Sequence, residues 1–415
     1  MAGLANVDEM RALRQKRMDT AVALQEADTV PIAPKTGYYF GSGYGVSNYD
    51  LMMDIRNAIP GLKQFLTQFD PDLVWSPIMY PIPPMEALGT TFIRWPGFQH
   101  QLDLKAPFQV LDNVFVQDDE LLEFAHDPTH FILTKIFPRK FSKLKGFSKL
   151  YFRNAVEYSQ FIDFSAFIDP EVKAAIEAAT RCGEEVVKWL GGLGEIANTI
   201  VNMGFIPGPA AAQTCPYDMF SDNFRGLMQT LFDIKERPEE LDIVLESMTK
   251  ICIERTIQSG KALGLKYVFI PLHGGVDEFM SPAEYDRFYW KGLKALMDAV
   301  IENGMTPYVF CEGNYNLRLE RIAEVPKGKV IYMFEKVDIA KAKKIVGEVA
   351  CISGCVPSEV MLYGTVDQVR DAVKRQLDIC APGGGFLMDV SIDMTNAKPE
   401  NVEAFFETTR TYGKY

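Results

Sequence analysis

The stretches YVFIPLH (267–273), TPYVFCEG (306–313), GKVIYMFE (328–335), VACISGCV (349–356) and GGGFLMDVS (383–391) are short, β-rich and almost continuously apolar. Between them lie amphipathic segments with helix punctuation. Ser281-Pro282-Ala283-Glu284 is a capping box with proline in its first turn. Phe288, Leu293, Leu296, Met297 and Val300 follow at helical spacing, and Asn303-Gly304 ends the run. Asp338 stands ready to cap IAKAKKI, Thr365-Val366-Asp367-Gln368 opens a further helix, and KPENVEAFFETTRTYG is the last. Strands apolar on both faces, alternating with helices, predict a parallel sheet covered on both sides.

Further strands are expected in TVPIAP (29–34), LVWSPIMY (73–80) and IANTIVN (196–202), with a less regular one near 108–116. About eight in all favours an α/β fold of the (β/α)8 TIM-barrel type, with an open doubly wound sheet as the alternative. No G-x-G-x-x-G follows a strand, so no dinucleotide fingerprint is present. The chain of 415 residues divides into an N-terminal helical extension (1–25) and one barrel domain (26–415). A net charge of -12 lacks the basic footprint of nucleic-acid binding. The odd count of seven cysteines, with no signal-type leader and no apolar run of about 18 residues, reads as a reduced, cytoplasmic protein off the membrane. KIFPRKFSKLKGFSKLYFR (135–153) is basic and aromatic, either a solvated helix face or a docking surface.

In a barrel of this kind, chemistry gathers where the strands end. The polar residues expected there are His273, Cys311 with Glu312, Glu335, Cys355 and Asp389. Thiolate, imidazole and carboxylate are the donors zinc takes, so these strand ends could supply a metal site. Glu312 and Asp389 are the candidate acid–base groups. Tyr38, Tyr39, Trp95 and Cys355 are expected to line the substrate pocket, with Tyr44 as a further aromatic wall. His126 and His130 have i, i+4 spacing, but Pro128 breaks the helix that would align them. Cys351, inside a strand, reads as core.

Five of these stretches, in their order and spacing, resemble the uroporphyrinogen-decarboxylase-like superfamily. FMSPAEYDRFYW (279–290) is similar to its "sp-x-x-F" helix start. Tyr308 to Gly313 sits where methyltransferase members carry His-x-Cys-Gly. Phe334 to Asp338, running on to Val346-Gly347, is similar to the stretch after the next strand. Ile352 to Pro357 with Leu362-Tyr363-Gly364-Thr365 resembles "GNVxPxxLLxxGT", and Pro399-Glu400-Asn401-Val402 resembles "PxENV". The resemblance implies a (β/α)8 barrel, closer to the corrinoid-dependent methyltransferases than to the decarboxylases, and ligand roles for Cys311 and Glu335. His273 is inferred from placement alone to stand in for the family histidine, whose position is read as Val309.

Two departures bear on chemistry. Where decarboxylases carry Arg-Gln-Ala-Gly-Arg-Tyr, this chain has Thr36-Gly37-Tyr38-Tyr39-Phe40-Gly41, and no arginine lies between Arg17 and Arg56. A polycarboxylate needs such guanidinium forks. Met388-Asp389-Val390-Ser391 replaces the late Gly-Cys-Gly. The leading expectation is methyl transfer from a small substrate, such as an aromatic methyl ether, to a corrinoid (cobalamin-type) on a partner protein, with zinc or a proton donor activating the leaving group. The reverse transfer to a thiol acceptor, a decarboxylase using Asp389 or Glu335 as acid, and a non-catalytic binding barrel are the alternatives.

Overall fold

The computed structural model describes residues 6–77, 79–152, 159–210 and 214–415. Its centre is a five-stranded parallel sheet in sequence order, β5 (Tyr267–Leu272), β6 (Thr306–Asn314), β7 (Ile331–Lys336), β8 (Cys351–Val356) and β9 (Phe386–Val390). These are the five stretches legible in the sequence, each followed by helical structure. Ser281 and Thr365 both form full capping boxes, and Asp338 caps its helix. Upstream, β1 (Leu73–Val74) pairs in parallel with β4 (Ile206–Pro207). Short bridges continue the pairing at both edges of the sheet. Ala210 bridges Val268 of β5, Ile32 bridges Met388 of β9, and the amide of Asp72 donates to Ile32 O at 2.8 Å.

The two sides of this sheet bury different sets. Tyr267 and Phe269, Tyr308 and Phe310, Ile331 and Met333, Cys351 and Leu387 point inward and meet Leu73, Trp75, Ala33 and Ile206. Val268 and Ile270, Val309 and Cys311, Tyr332 and Phe334, Ile352, Phe386 and Met388 point outward into the helix layer. This is the two-residue period of a strand, with both faces apolar because both are covered. The helix Val7–Val22 reaches the inner set with Met18, Ala21 and Val22. It is tied down by Arg17, which pairs with Asp28 at 2.7 Å and Asp72 at 3.0 Å.

One expected strand is a helix. IANTIVN lies in the last turns of a helix spanning Pro170–Asn202, opened by Asp169 as its cap. Ile196 and Ile200, four residues apart, are both fully buried, which is helical spacing. The strand comes just after, as β4. Near 108–116, only Gln109–Val110 (β3) is extended, paired antiparallel with Ile93–Arg94 (β2). The basic run from 135 is largely occupied by the protein itself. Lys135 and Arg139 pair with Glu120, Lys149 pairs with Asp169, and the Lys140 ammonium sits 4.2 Å from the Phe92 ring. Arg153, its last residue, lies outside the described residues. No described helix is long and apolar enough to cross a membrane.

Candidate active site

β5 ends at Leu272, and His273 is the first residue past it. Its ring Nδ1 lies 2.6 Å from Asp222 Oδ2, and its Nε2 lies 3.8 Å from Glu312 Oε2. Asp222 belongs to a π-helical turn, Ser221–Arg225, that continues the helix Pro216–Phe220. Such wide turns are frequent at functional sites because they re-aim side chains. One turn earlier stands Asp218, fully buried. It accepts the amide hydrogens of His273 (2.9 Å) and Gly274 (2.8 Å) and the Tyr289 hydroxyl (2.5 Å). Gly274 and Gly275 are needed here for close approach. A Cβ on Gly274 would stand 2.7 Å from the Tyr217 ring, and one on Gly275 2.6 Å from the Tyr289 ring.

The electrostatics favour a charged imidazole. Burial opposes the charge, but the Asp222 hydrogen bond and the charges of Asp218, Asp222 and Glu312 outweigh it and push His273 up to about 9. Burial, then the neighbouring Asp222 charge, push Asp218 up to about 6. Both His273 and Glu312 keep solvent contact, with 36% and 49% of their side-chain surface exposed, so the ring edge is open to a ligand. Tyr80 packs edge-to-face on Phe108 at 4.8 Å. Burial and then the charge of Asp222 raise its phenol, and burial and then the charge of Asp393 raise that of Tyr38.

The expected metal set is not assembled. Cys311 is fully buried and faces the helices, among Tyr285, Tyr315 and Tyr332. Burial pushes its thiol well up. The reason is one residue of strand parity. Tyr308 and Phe310 face inward, so Glu312 and not Cys311 reaches the mouth. Counted back from Gly313, the His-x-Cys-Gly pattern falls on Phe310 and Glu312, a phenyl ring and a carboxylate. Glu335 does reach the strand end, but Gly313 N donates to it at 2.6 Å. That amide is freed by the register shift of β6 against β7 between Cys311 and Asn314. Among the described residues no three His, Cys, Asp or Glu side chains are grouped to hold a metal ion. The residues present therefore do not fit a zinc site of thiolate and imidazole.

Other expected residues are spread out. Asp389 is fully buried. It accepts from Lys35 N (2.8 Å), Val390 N (2.7 Å) and Ser353 Oγ (3.3 Å), and burial pushes it up to about 7. Tyr39 belongs to the core, edge-on to Phe65 at 6.0 Å, and Trp95 packs on Phe98 at 4.6 Å beyond β2. Tyr38 is nearer the site, beside Tyr80. Cys355 is half-buried at the end of β8 with φ +78°, its Sγ 3.8 Å from Phe334 O. His126 and His130 fall on separate short helices, parted at Asp127. The sequence reading missed Asp218, Asp222 and Lys35, whose ammonium stands 4.4 Å from the inward-facing Phe310 ring.

Known proteins set this geometry in context. No curated protein matches the sequence. A methyltransferase from Methanosarcina mazei has a similar structure, with a TM-score of 0.62 at 16% identity over 96% of this chain and 98% of that one. At that identity the likeness is one of fold. The family Uroporphyrinogen decarboxylase (URO-D) matches residues 173–412, more than half of the sequence, and includes β4 to β9 and every residue of the His273 cluster. The chain belongs to the uroporphyrinogen decarboxylase family, whose fold is the TIM barrel.

Proposed function

We propose that this protein is a methyltransferase that moves a methyl group from a small O-methyl substrate to a corrinoid on a partner protein, with His273 as the proton donor to the leaving oxygen. The strand bridges at Ile32 and Ala210 are proposed to complete the eight-stranded barrel around that site. The observation that carries the chemistry is the His273–Asp222 pair, with the other ring nitrogen open at the mouth. An ether oxygen leaves poorly unless its developing charge is taken up. With no zinc set assembled, the imidazolium is the group placed to do this. The corrinoid supplies the nucleophile.

Each residue then has a task. Asp222 holds Nδ1–H, so the acidic proton sits on Nε2, facing the substrate. Glu312, 3.8 Å from Nε2, adds its charge to those that keep the ring protonated, and the proton given to the leaving oxygen is replaced from solvent at the open mouth. Tyr80, partly exposed and edge-to-face on Phe108, offers an aromatic surface against which a ring can pack. A phenolate, whose conjugate acid lies at about 10, is a leaving group that an imidazolium stabilised by its carboxylate neighbours can protonate, which suits an aromatic methyl ether. A decarboxylase is less well served. The mouth carries Asp222, Glu312 and Glu335, which repel a polycarboxylate, and Asp389 is sealed below it with its oxygens occupied.

The test is a substrate panel with a corrinoid protein reduced to cobalt(I). Methoxylated aromatics should give methylcobalt, seen by absorbance, while neither protein alone gives product. Release of carbon dioxide from a carboxylated pyrrole, with no methyl transfer to cobalt, would replace this reading with the decarboxylase.

A further inference from the structure

Asp218 touches neither solvent nor the imidazole ring, yet the site is built around it. It is the best-connected acid of the cluster, and its partners come from two other elements. The His273 and Gly274 amides belong to the loop after β5, and the Tyr289 hydroxyl to the π-helical turn Tyr285–Trp290. The loop is pinned from the opposite side by the buried Arg318. Its guanidinium donates to Gly275 O (3.2 Å) and Val276 O (3.1 Å) and lies 4.4 Å from the Tyr285 ring. Asp277 N donates to Asn314 O at 2.9 Å, which ties this loop to the end of β6 where Glu312 sits.

We infer that Asp218 is the positioning residue of this site: its carboxylate clamps the His273–Gly274 backbone, and with the Tyr289 hydroxyl it fixes where the imidazole stands between Asp222 and Glu312. The inference rests on the reading of His273 as the acid, and it adds the residue that makes that acid rigid. Three observations support it. Both carboxylate oxygens are used, Oδ1 by Gly274 and Oδ2 by His273 and Tyr289, so rotation of the carboxylate would break all three bonds. The glycines leave no room for the loop to move toward Tyr217 or Tyr289. The Asp218 charge also adds to those of Asp222 and Glu312 in holding the proton on His273. The groups that face His273 are thus Asp218 and Asp222 from the segment 216–225 and Glu312 from β6; Tyr80 is near enough to Asp222 to feel its charge. A catalytic group held within a fraction of an ångström by its surroundings gains rate through orientation, and a loosened one loses it in kcat more than in KM.

The chain has only four histidines, so selective ¹⁵N-histidine labelling gives a short spectrum in which His273→Gln assigns the key signals. The ring signals follow the imidazole, and the His273 amide follows the protonation of Asp218. In Asp218→Asn the imidazole midpoint should fall by about half a pH unit or more. Its kcat for methyl transfer should drop about tenfold or more, with KM within about threefold. A folded Asp218→Asn protein with unmoved midpoint and kcat would overturn the inference. If that variant does not fold, Tyr289→Phe decides. Loss of the hydroxyl donor should move the acid-side step of the His273 amide, near pH 6 in the parent protein, to higher pH. An unmoved step overturns the clamp. A midpoint that moves in Asp218→Asn, where the parent protein shows no methyl-transfer activity, would leave the clamp standing and remove the methyltransferase reading; an active parent with an unmoved midpoint and kcat in the variant would do the opposite.

Discussion

His273 Nδ1 and Asp222 Oδ2 are 2.6 Å apart, although the two residues are 51 positions apart in the chain. The carboxylate fixes which ring nitrogen faces the mouth. Asp222→Asn keeps the shape but lets the ring turn or change tautomer. Its kcat should fall by about 10²- to 10⁴-fold, with the fold intact by circular dichroism. A loss of less than threefold would mean that the pair does not orient the acid.

Cys311 is expected to be dispensable for chemistry. Cys311→Ala leaves a small cavity among Tyr285, Tyr315 and Tyr332, and should cost about 1–2 kcal/mol in urea unfolding. Metal content and methyl transfer should match those of the parent protein. Loss of a bound zinc ion in this variant would restore the thiolate site that the strand parity argues against.

Glu335 accepts the amide hydrogen freed by the β6 irregularity. Glu335→Gln can still accept it through its carbonyl oxygen, whereas Glu335→Ala cannot. The alanine variant should lose about 1–3 kcal/mol of stability and the glutamine variant clearly less, read by urea unfolding. Equal losses would show that the hydrogen bond does not hold the bulge.

Asp389 gives a stability signature with a definite sign. Its folded value, near 7, lies above the ordinary aspartate value, so the folded state holds the proton more tightly. Stability from this group is present at low pH and is lost as pH rises from about 4 to 7. Asp389→Asn can accept both amides through Oδ1 and donate to Ser353, so it should fold and lack that decline. Urea midpoints at several pH values for the two proteins measure the difference.

The strands β5 to β9 and the capped helices between them were legible because each strand is a compact apolar run bounded by glycine or a cap. IANTIVN was misread because its β-branched content outweighed the four-residue spacing of Ile196 and Ile200. At the site, His273 and Glu312 were legible from the ends of their strands. The role of Cys311 was not, because both faces of β6 are apolar and hydrophobicity alone does not reveal parity; only the glycine of His-x-Cys-Gly, aligned on Gly313, points to Glu312. Asp218 and Asp222 lie in CPYDMFSDNFRG (215–226), far from any strand end. Their i, i+4 spacing after a proline was the available signal: two carboxylates one helical turn apart, aimed the same way.

The most direct test of the central claim is the rate of methylcobalt formation from a methoxylated aromatic, with chelator-treated protein, between pH 6.5 and 10.5. Full activity is expected without metal, with a fall of about tenfold per pH unit above pH ~9 as His273 loses its proton and no activity in His273→Gln. Activity that disappears on chelation and returns with zinc, or that survives unchanged in His273→Gln, would contradict it.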